Sequence, residues 1–205
     1  MVAVMIMAVL MVQAQDQNAQ SMRSRFAVKG GVNFSYIDKT QDKAGFMIGG
    51  YYAPSAKFFG FRTELLFSRQ SYSYEKNART GDVALDYIVM PQLMTLNITK
   101  FVQLHAGGQI AFLLNAKVDS LPSPSSQPAP AQQKATEFFN RINYGFAGGL
   151  EVYPVAGLFV GGRYNLYMNL LDQSNSDSNL PPYVPPYDKG RLKNGQVQVY
   201  LGWRF

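Results

Sequence analysis

The chain of 205 residues contains no cysteine. That absence excludes a disulfide framework, a thiolate metal site, a thiol nucleophile and a lipid-bearing cysteine of the lipoprotein kind. A single histidine, His105, excludes a multi-histidine metal centre. Charge is scarce as well, at 16% of residues against about 25% in an average soluble domain. After the first dozen residues no apolar run approaches the roughly 18 needed for a membrane-spanning helix. What is abundant is aromatic: 13 Tyr, 14 Phe and one Trp, or 14% of the chain. The 19 basic residues outnumber the 13 acidic ones for a net charge of +6. They form no basic run and no aromatic-basic RNA-binding motif, so nucleic acid is not an expected partner.

Residues Met1 to Val12 are uninterruptedly apolar and end in Val12-Gln13-Ala14 before the polar run Gln15-Asp16-Gln17-Asn18. This pattern predicts a secretory signal peptide over 1–14, cut after Ala14, because twelve apolar residues are too few to span a bilayer. A short N-terminal segment over 15–23 then leads into one domain over 24–205.

Within that domain the recurring signal is alternation of period two, which marks strands with two different faces. It is clearest at the end, where Val197, Val199, Leu201, Trp203 and Phe205 share one face while Gln196, Gln198, Tyr200, Gly202 and Arg204 share the other. The same template predicts eight strands, at 24–37, 45–53, 57–69, 83–97, 101–117, 139–153, 157–169 and 192–205. Their connections run long, short, long, short, long, short, long: 38–44, 54–56, 70–82, 98–100, 118–138, 154–156 and 170–191. Short periplasmic turns alternating with long extracellular loops are the mark of a transmembrane barrel. The expected fold is therefore all-β: an eight-stranded antiparallel up-and-down barrel of the outer-membrane type, with both termini in the periplasm.

The composition of the second face separates this reading from a soluble barrel. It mixes Arg25, Lys29, Arg62, Glu64, Asp86, His105, Glu151, Arg163 and Arg204 with Gly, Ala, Asn and Gln. A face turned to water would carry denser charge and fewer glycines. A face turned into a narrow lumen needs small residues for room and opposite charges to pair, since unpaired buried charge costs several kcal/mol. Five cations (Arg25, Lys29, Arg62, Arg163, Arg204) can then be set against three anions (Glu64, Asp86, Glu151). The apolar face meets lipid, where closure into a barrel is obligatory because no backbone group can be left unbonded. Aromatics near the strand ends, among them Tyr51, Tyr52, Phe59, Tyr153, Tyr164, Tyr167 and Trp203, are expected to form interfacial girdles. Leu201, Trp203 and the terminal Phe205 look like the sorting signal that barrel insertion machinery reads.

Several short motifs sit in order along this pattern: Val28-Lys29-Gly30-Gly31-Val32-Asn33-Phe34-Ser35, Glu64-Leu65-Leu66-Phe67-Ser68, Tyr87-Ile88-Val89-Met90-Pro91, Ala147-Gly148-Gly149-Leu150-Glu151 and Arg163-Tyr164-Asn165. With them the chain resembles, over 24–205, the PorT-like, porin-family outer-membrane β-barrel proteins of Bacteroidetes. The resemblance implies bacterial origin, an outer membrane and an eight-stranded barrel. It implies little about chemistry, because most members have no assigned activity, and the type IX secretion link of the name-giving member does not transfer with it.

No catalytic, metal or cofactor residue is expected. An outer-membrane hydrolase would need His105 beside a serine or carboxylate at the outer rim, whereas His105 lies four residues past a short turn and reads as a hydrogen-bonded lumen residue. Eight strands leave an interior that side chains roughly fill, so a plugged lumen is expected over a solute-conducting one. Expected contacts are outer-membrane lipids and lipopolysaccharide, the latter through the loop and rim cations Lys39, Lys43, Arg69, Lys76, Arg79, Lys189 and Arg191. The Pro-, Ser- and Tyr-rich loops at 121–130 and 181–187 are either solvated spacers or a docking segment for an envelope protein. The expected role is structural, surface-interacting or accessory, the alternatives being a narrow small-solute pore and a subunit of a secretion machine.

Overall fold

In the computed structural model the described residues are 25–37, 41–54, 56, 58–76, 79–118, 140–168 and 194–205. They form eight strands: β1 Arg25–Ile37, β2 Gln41–Ala53, β3 Phe59–Lys76, β4 Arg79–Asn97, β5 Val102–Val118, β6 Ile142–Val152, β7 Leu158–Tyr167 and β8 Asn194–Arg204. Each pairs antiparallel with the next, and β8 pairs with β1, so the sheet closes on itself. Closure satisfies the ladder groups that an open edge would leave bare. It is completed at the chain end, where the Phe205 amide donates to the Phe26 carbonyl at 2.9 Å.

The alternation read from the sequence is the alternation of the wall. On β1, Ala27, Lys29, Asn33 and Ser35 are buried inside while Phe26, Val28, Val32 and Phe34 are exposed outside. On β8, Gln196, Gln198 and Tyr200 point in, and Val199, Leu201 and Trp203 point out. The described part of the barrel thus exposes large apolar side chains over its outer surface and gathers its buried polar and charged side chains inside, beside an apolar and aromatic lining that includes Met47, Leu66, Leu85 and Phe159.

One rim of the barrel carries the described chain ends and the short turns, and these are built tightly. In the turn between β4 and β5, the Thr99 hydroxyl accepts from the amides of Phe101 and Val102 at 3.1 and 3.0 Å. In the turn between β6 and β7, Gly157 has φ of 85°, and a Cβ there would also come within 2.7 Å of the Trp203 ring, so the position requires glycine.

At the opposite rim two of the expected long loops are shortened by strand. Residues 41–44 belong to β2, and residues 70–76 and 79–82 belong to β3 and β4, where the sequence predicts connections over 38–44 and 70–82. The polar residues there suggested loop, but they are side chains on a strand that continues past the apolar band. Ser73 donates to Asp82 at 2.9 Å, Lys43 pairs with the same carboxylate, and Tyr72 and Val83 are buried between them and the interior. A strand crosses a bilayer in about 9–11 residues, and β3 and β4 have 18 and 19. The expected signal peptide over 1–14, the segment over 15–23 and the loop tracts at 121–130 and 181–187 lie outside the described residues.

Candidate functional site

The chemistry of the molecule is concentrated in the lumen. Lys29 on β1, Arg62 and Glu64 on β3, His105 on β5, Glu151 on β6 and Arg163 on β7 are all buried in one tier, nearer the short turns. Parity puts them there: each falls on the inward position of its strand, and lumen-facing glycines on the neighbouring strands leave the space they fill. Gly161 is such a glycine, since a Cβ on it would lie 2.7 Å from the Tyr200 ring and 2.8 Å from Glu151 Cγ.

Glu64 is the hub. Its Oε2 accepts from Arg163 Nη1 at 2.7 Å and lies 2.8 Å from Lys29 Nζ, and its Oε1 lies 2.9 Å from Arg62 Nε in an ion pair too bent for a hydrogen bond. Glu151 is saturated by three donors: Arg62 Nη1 at 2.7 Å, the Tyr153 hydroxyl at 2.6 Å and the Tyr200 hydroxyl at 2.9 Å. Arg163 also grips Gln198 Oε1 through Nε and Nη2, at 3.0 and 2.8 Å. His105 Nε2 stands 3.4 Å from the Tyr200 hydroxyl, at the limit of a hydrogen bond. These contacts are charge-assisted and out of water; they hydrogen-bond both oxygens of Glu151 and Oε2 of Glu64, while Glu64 Oε1 is met by Arg62 as an ion partner only.

The pairs also have a direction. Arg62 to Glu151 joins β3 to β6, three strands away, and Arg163 to Glu64 joins β7 to β3, four apart in a ring of eight. Side chains therefore bridge across the lumen, and the Arg163–Glu64 pair joins strands on opposite walls. Aromatic rings back the charges: Lys29 Nζ lies 4.4 Å from the Tyr200 ring centroid, and the Arg62 guanidinium 4.7 Å from that of Tyr51. Tyr51, Tyr153 and Tyr200 surround Phe159 with centroid separations of 5.8, 5.6 and 6.4 Å.

Of the nine lumen residues expected from the sequence, six converge in this tier. Arg204 joins from the rim, stacked 4.2 Å above the Tyr153 ring rather than ion-paired. The side chain of Arg25 lies outside the described residues, and its backbone pairs opposite Ala53. Asp86 is a correction. It sits opposite Arg69 in the β3–β4 ladder, on the outer face between the inward Leu85 and Tyr87, and pairs with Arg69 Nε and Nη2 at 2.6 and 2.9 Å. It is buried because the Arg69 side chain covers it, itself packed 5.4 Å over the Phe46 ring. The girdle assignment is corrected too: Tyr51, Tyr153 and Tyr167 point inward. Parity would have found them, since Tyr153 is two residues from Glu151, but an aromatic near a strand end was read as a membrane-interface residue. Leu201, Trp203 and Phe205 do face outward, at 62, 46 and 73% exposure.

The sequence matches, over residues 2–205, the family described as outer membrane protein beta-barrel domain. The chain belongs to that family. The match and the closed eight-stranded sheet make it an outer-membrane β-barrel, with the apolar wall in lipid. Solved barrels share the architecture. Ail, the attachment invasion locus protein of Yersinia pestis, solved with the heparin analogue sucrose octasulfate, aligns with a TM-score of 0.51 at 17% identity, covering 90% of this chain and all of that one. Neisserial surface protein A aligns with a TM-score of 0.50 at 15% identity, covering 89% of this chain and 97% of that one. At these identities the likeness is one of fold. Comparison with curated proteins gives no match.

Proposed function

We propose that this chain is a non-enzymatic outer-membrane barrel of bacterial, PorT-like type whose lumen is plugged, and whose role is structural, surface-interacting or accessory. The observation that carries the proposal is the pair of bridges across the lumen, Arg163 to Glu64 and Arg62 to Glu151, in a fully buried tier. To pass ions through that tier, salt bridges in a low-dielectric interior would have to open, leaving buried charge unpaired. The orientation that fits has the chain ends and short turns in the periplasm, with Leu201, Trp203 and Phe205 read by the insertion machinery from that side. The test is conductance of the purified, folded protein in a planar bilayer. A current at the noise floor is expected; steady open-channel current would overturn the plug and favour the narrow pore.

Lipopolysaccharide remains the proposed lipid contact, with its cation set reduced. Of the seven loop and rim cations, the two with described side chains, Lys43 and Arg69, are already paired with Asp82 and Asp86. The anionic headgroup is then left to Lys39, Lys76, Arg79, Lys189 and Arg191. Retention of the wild-type protein on immobilised lipopolysaccharide, lost when these five are changed to Gln, is the expected result.

A further inference from the structure

Among the described residues, the outer wall between the Arg69–Asp86 pair and the short turns is aliphatic, aromatic or glycine, with one exception. Thr63 on β3 and Gln92 on β4 are register partners there, both directed outward. Each stands at the centre of its strand's apolar band, Thr63 as the third outward position of five from Phe59 to Phe67, Gln92 as the third of five from Ile88 to Leu96. The Thr63 hydroxyl donates to Gln92 Oε1 at 2.8 Å. Nothing in the described structure takes up the amide N–H groups of Gln92, which point into hydrocarbon, where no water reaches them.

We propose that this patch is the contact through which two copies of the chain associate side by side in the membrane, across a two-fold axis that brings their Gln92 amides together. A carboxamide carries donor and acceptor in one plane, so it is complementary to itself. A two-fold interface sets the same patch against itself. Acyl chains offer the amide nothing. The surface beside it is also shaped for close approach: Gly108 lies opposite Gln92 on β5, and a Cβ there would meet nothing nearer than 4.0 Å, so the wall is indented next to the amide. Ala106 and Gly148 continue the indentation, and small residues are what let membrane-embedded segments come together.

The absence of native cysteine makes the test direct. The full chain carrying Met94→Cys, beside the intact Gln92 on the same outward face, is expected to give a disulfide dimer when oxidised in intact outer membranes. Leu201→Cys on β8, on the opposite wall, is expected to stay monomeric. In dilute lipid vesicles, subunit counting by photobleaching should show Gln92→Leu weakening association by up to about tenfold, the scale of an intramembrane side-chain hydrogen bond. Leucine suits lipid better than glutamine, so this variant keeps its barrel, which unchanged heat-modifiable gel migration would verify. No dimer from Met94→Cys, equal dimer from both cysteine variants, a crosslink to a different protein, or unaltered association of Gln92→Leu would each overturn the proposal.

Discussion

In the lumen tier nearer the short turns, Arg163 on β7 reaches Glu64 on β3 and Arg62 on β3 reaches Glu151 on β6, so bonds run across the barrel. In the tier nearer the long connections, the hydrogen bonds given by Asn33, Asn165 and Gln196 stay along the wall. Asn33 on β1 donates to Ser68 on β3 and to the Phe46 carbonyl, Asn165 on β7 to Gln196 on β8, and Gln196 to Ser35 on β1. The rest of that tier is filled by bulk, with Tyr72, Tyr87 and Tyr167 buried beside Leu85 and Val89. Side-chain reach explains the difference. Arginine and glutamate together span the interior of an eight-stranded barrel, whereas asparagine and serine meet only near neighbours. One tier is therefore a charged crosspiece and the other a packed lining, and they should fail differently.

The largest break should come at the hub. Glu64→Leu leaves Lys29 and Arg163 without their carboxylate and takes from Arg62 one of its two, all without water, and is expected to destabilise the barrel by about 3–5 kcal/mol in urea unfolding from lipid vesicles. A loss under about 1 kcal/mol would mean that water enters the tier. Gly161→Ala attacks the same crosspiece sterically, by pushing the Tyr200 ring off Glu151. It is expected to cost about 1–3 kcal/mol with charge unchanged. In the lining tier, Asn33→Ala removes neutral bonds, for an expected loss of about 1–2 kcal/mol and no change in conductance. The smallest effect is expected outside the lumen. Arg69→Gln breaks a pair whose arginine is one-third exposed, and should shift stability by at most about 1 kcal/mol, screened further by added salt. If Asn33→Ala costs as much as Glu64→Leu, the distinction between the tiers fails.

Much of this was legible before any coordinates. Strict alternation identified all eight strands, because a wall with lipid on one side and a narrow polar interior on the other forces period two along every strand. It also placed Lys29, Arg62, Glu64, His105, Glu151 and Arg163 on the inner face. It misplaced Asp86, which lies near the outer end of a strand where the lipid constraint has lapsed and a charge on the outer face finds Arg69 instead. It misread residues 70–76 and 79–82 as loop for the same reason: beyond the apolar band a strand has no need to be apolar.

The sequence by itself determined the strand count, the parity of the side chains within the apolar band, and the rule that charge in that band goes inside, all of which are local properties of a chain with a two-residue repeat. Only the tertiary structure decided which charges meet. The partners Arg62 and Glu151 are 89 residues apart, and Glu64 and Arg163 are 99 apart. Their pairing depends on the stagger of eight strands around a closed ring, which sets the height of each residue in the lumen. That stagger emerges only when β8 closes on β1, and no single strand carries it.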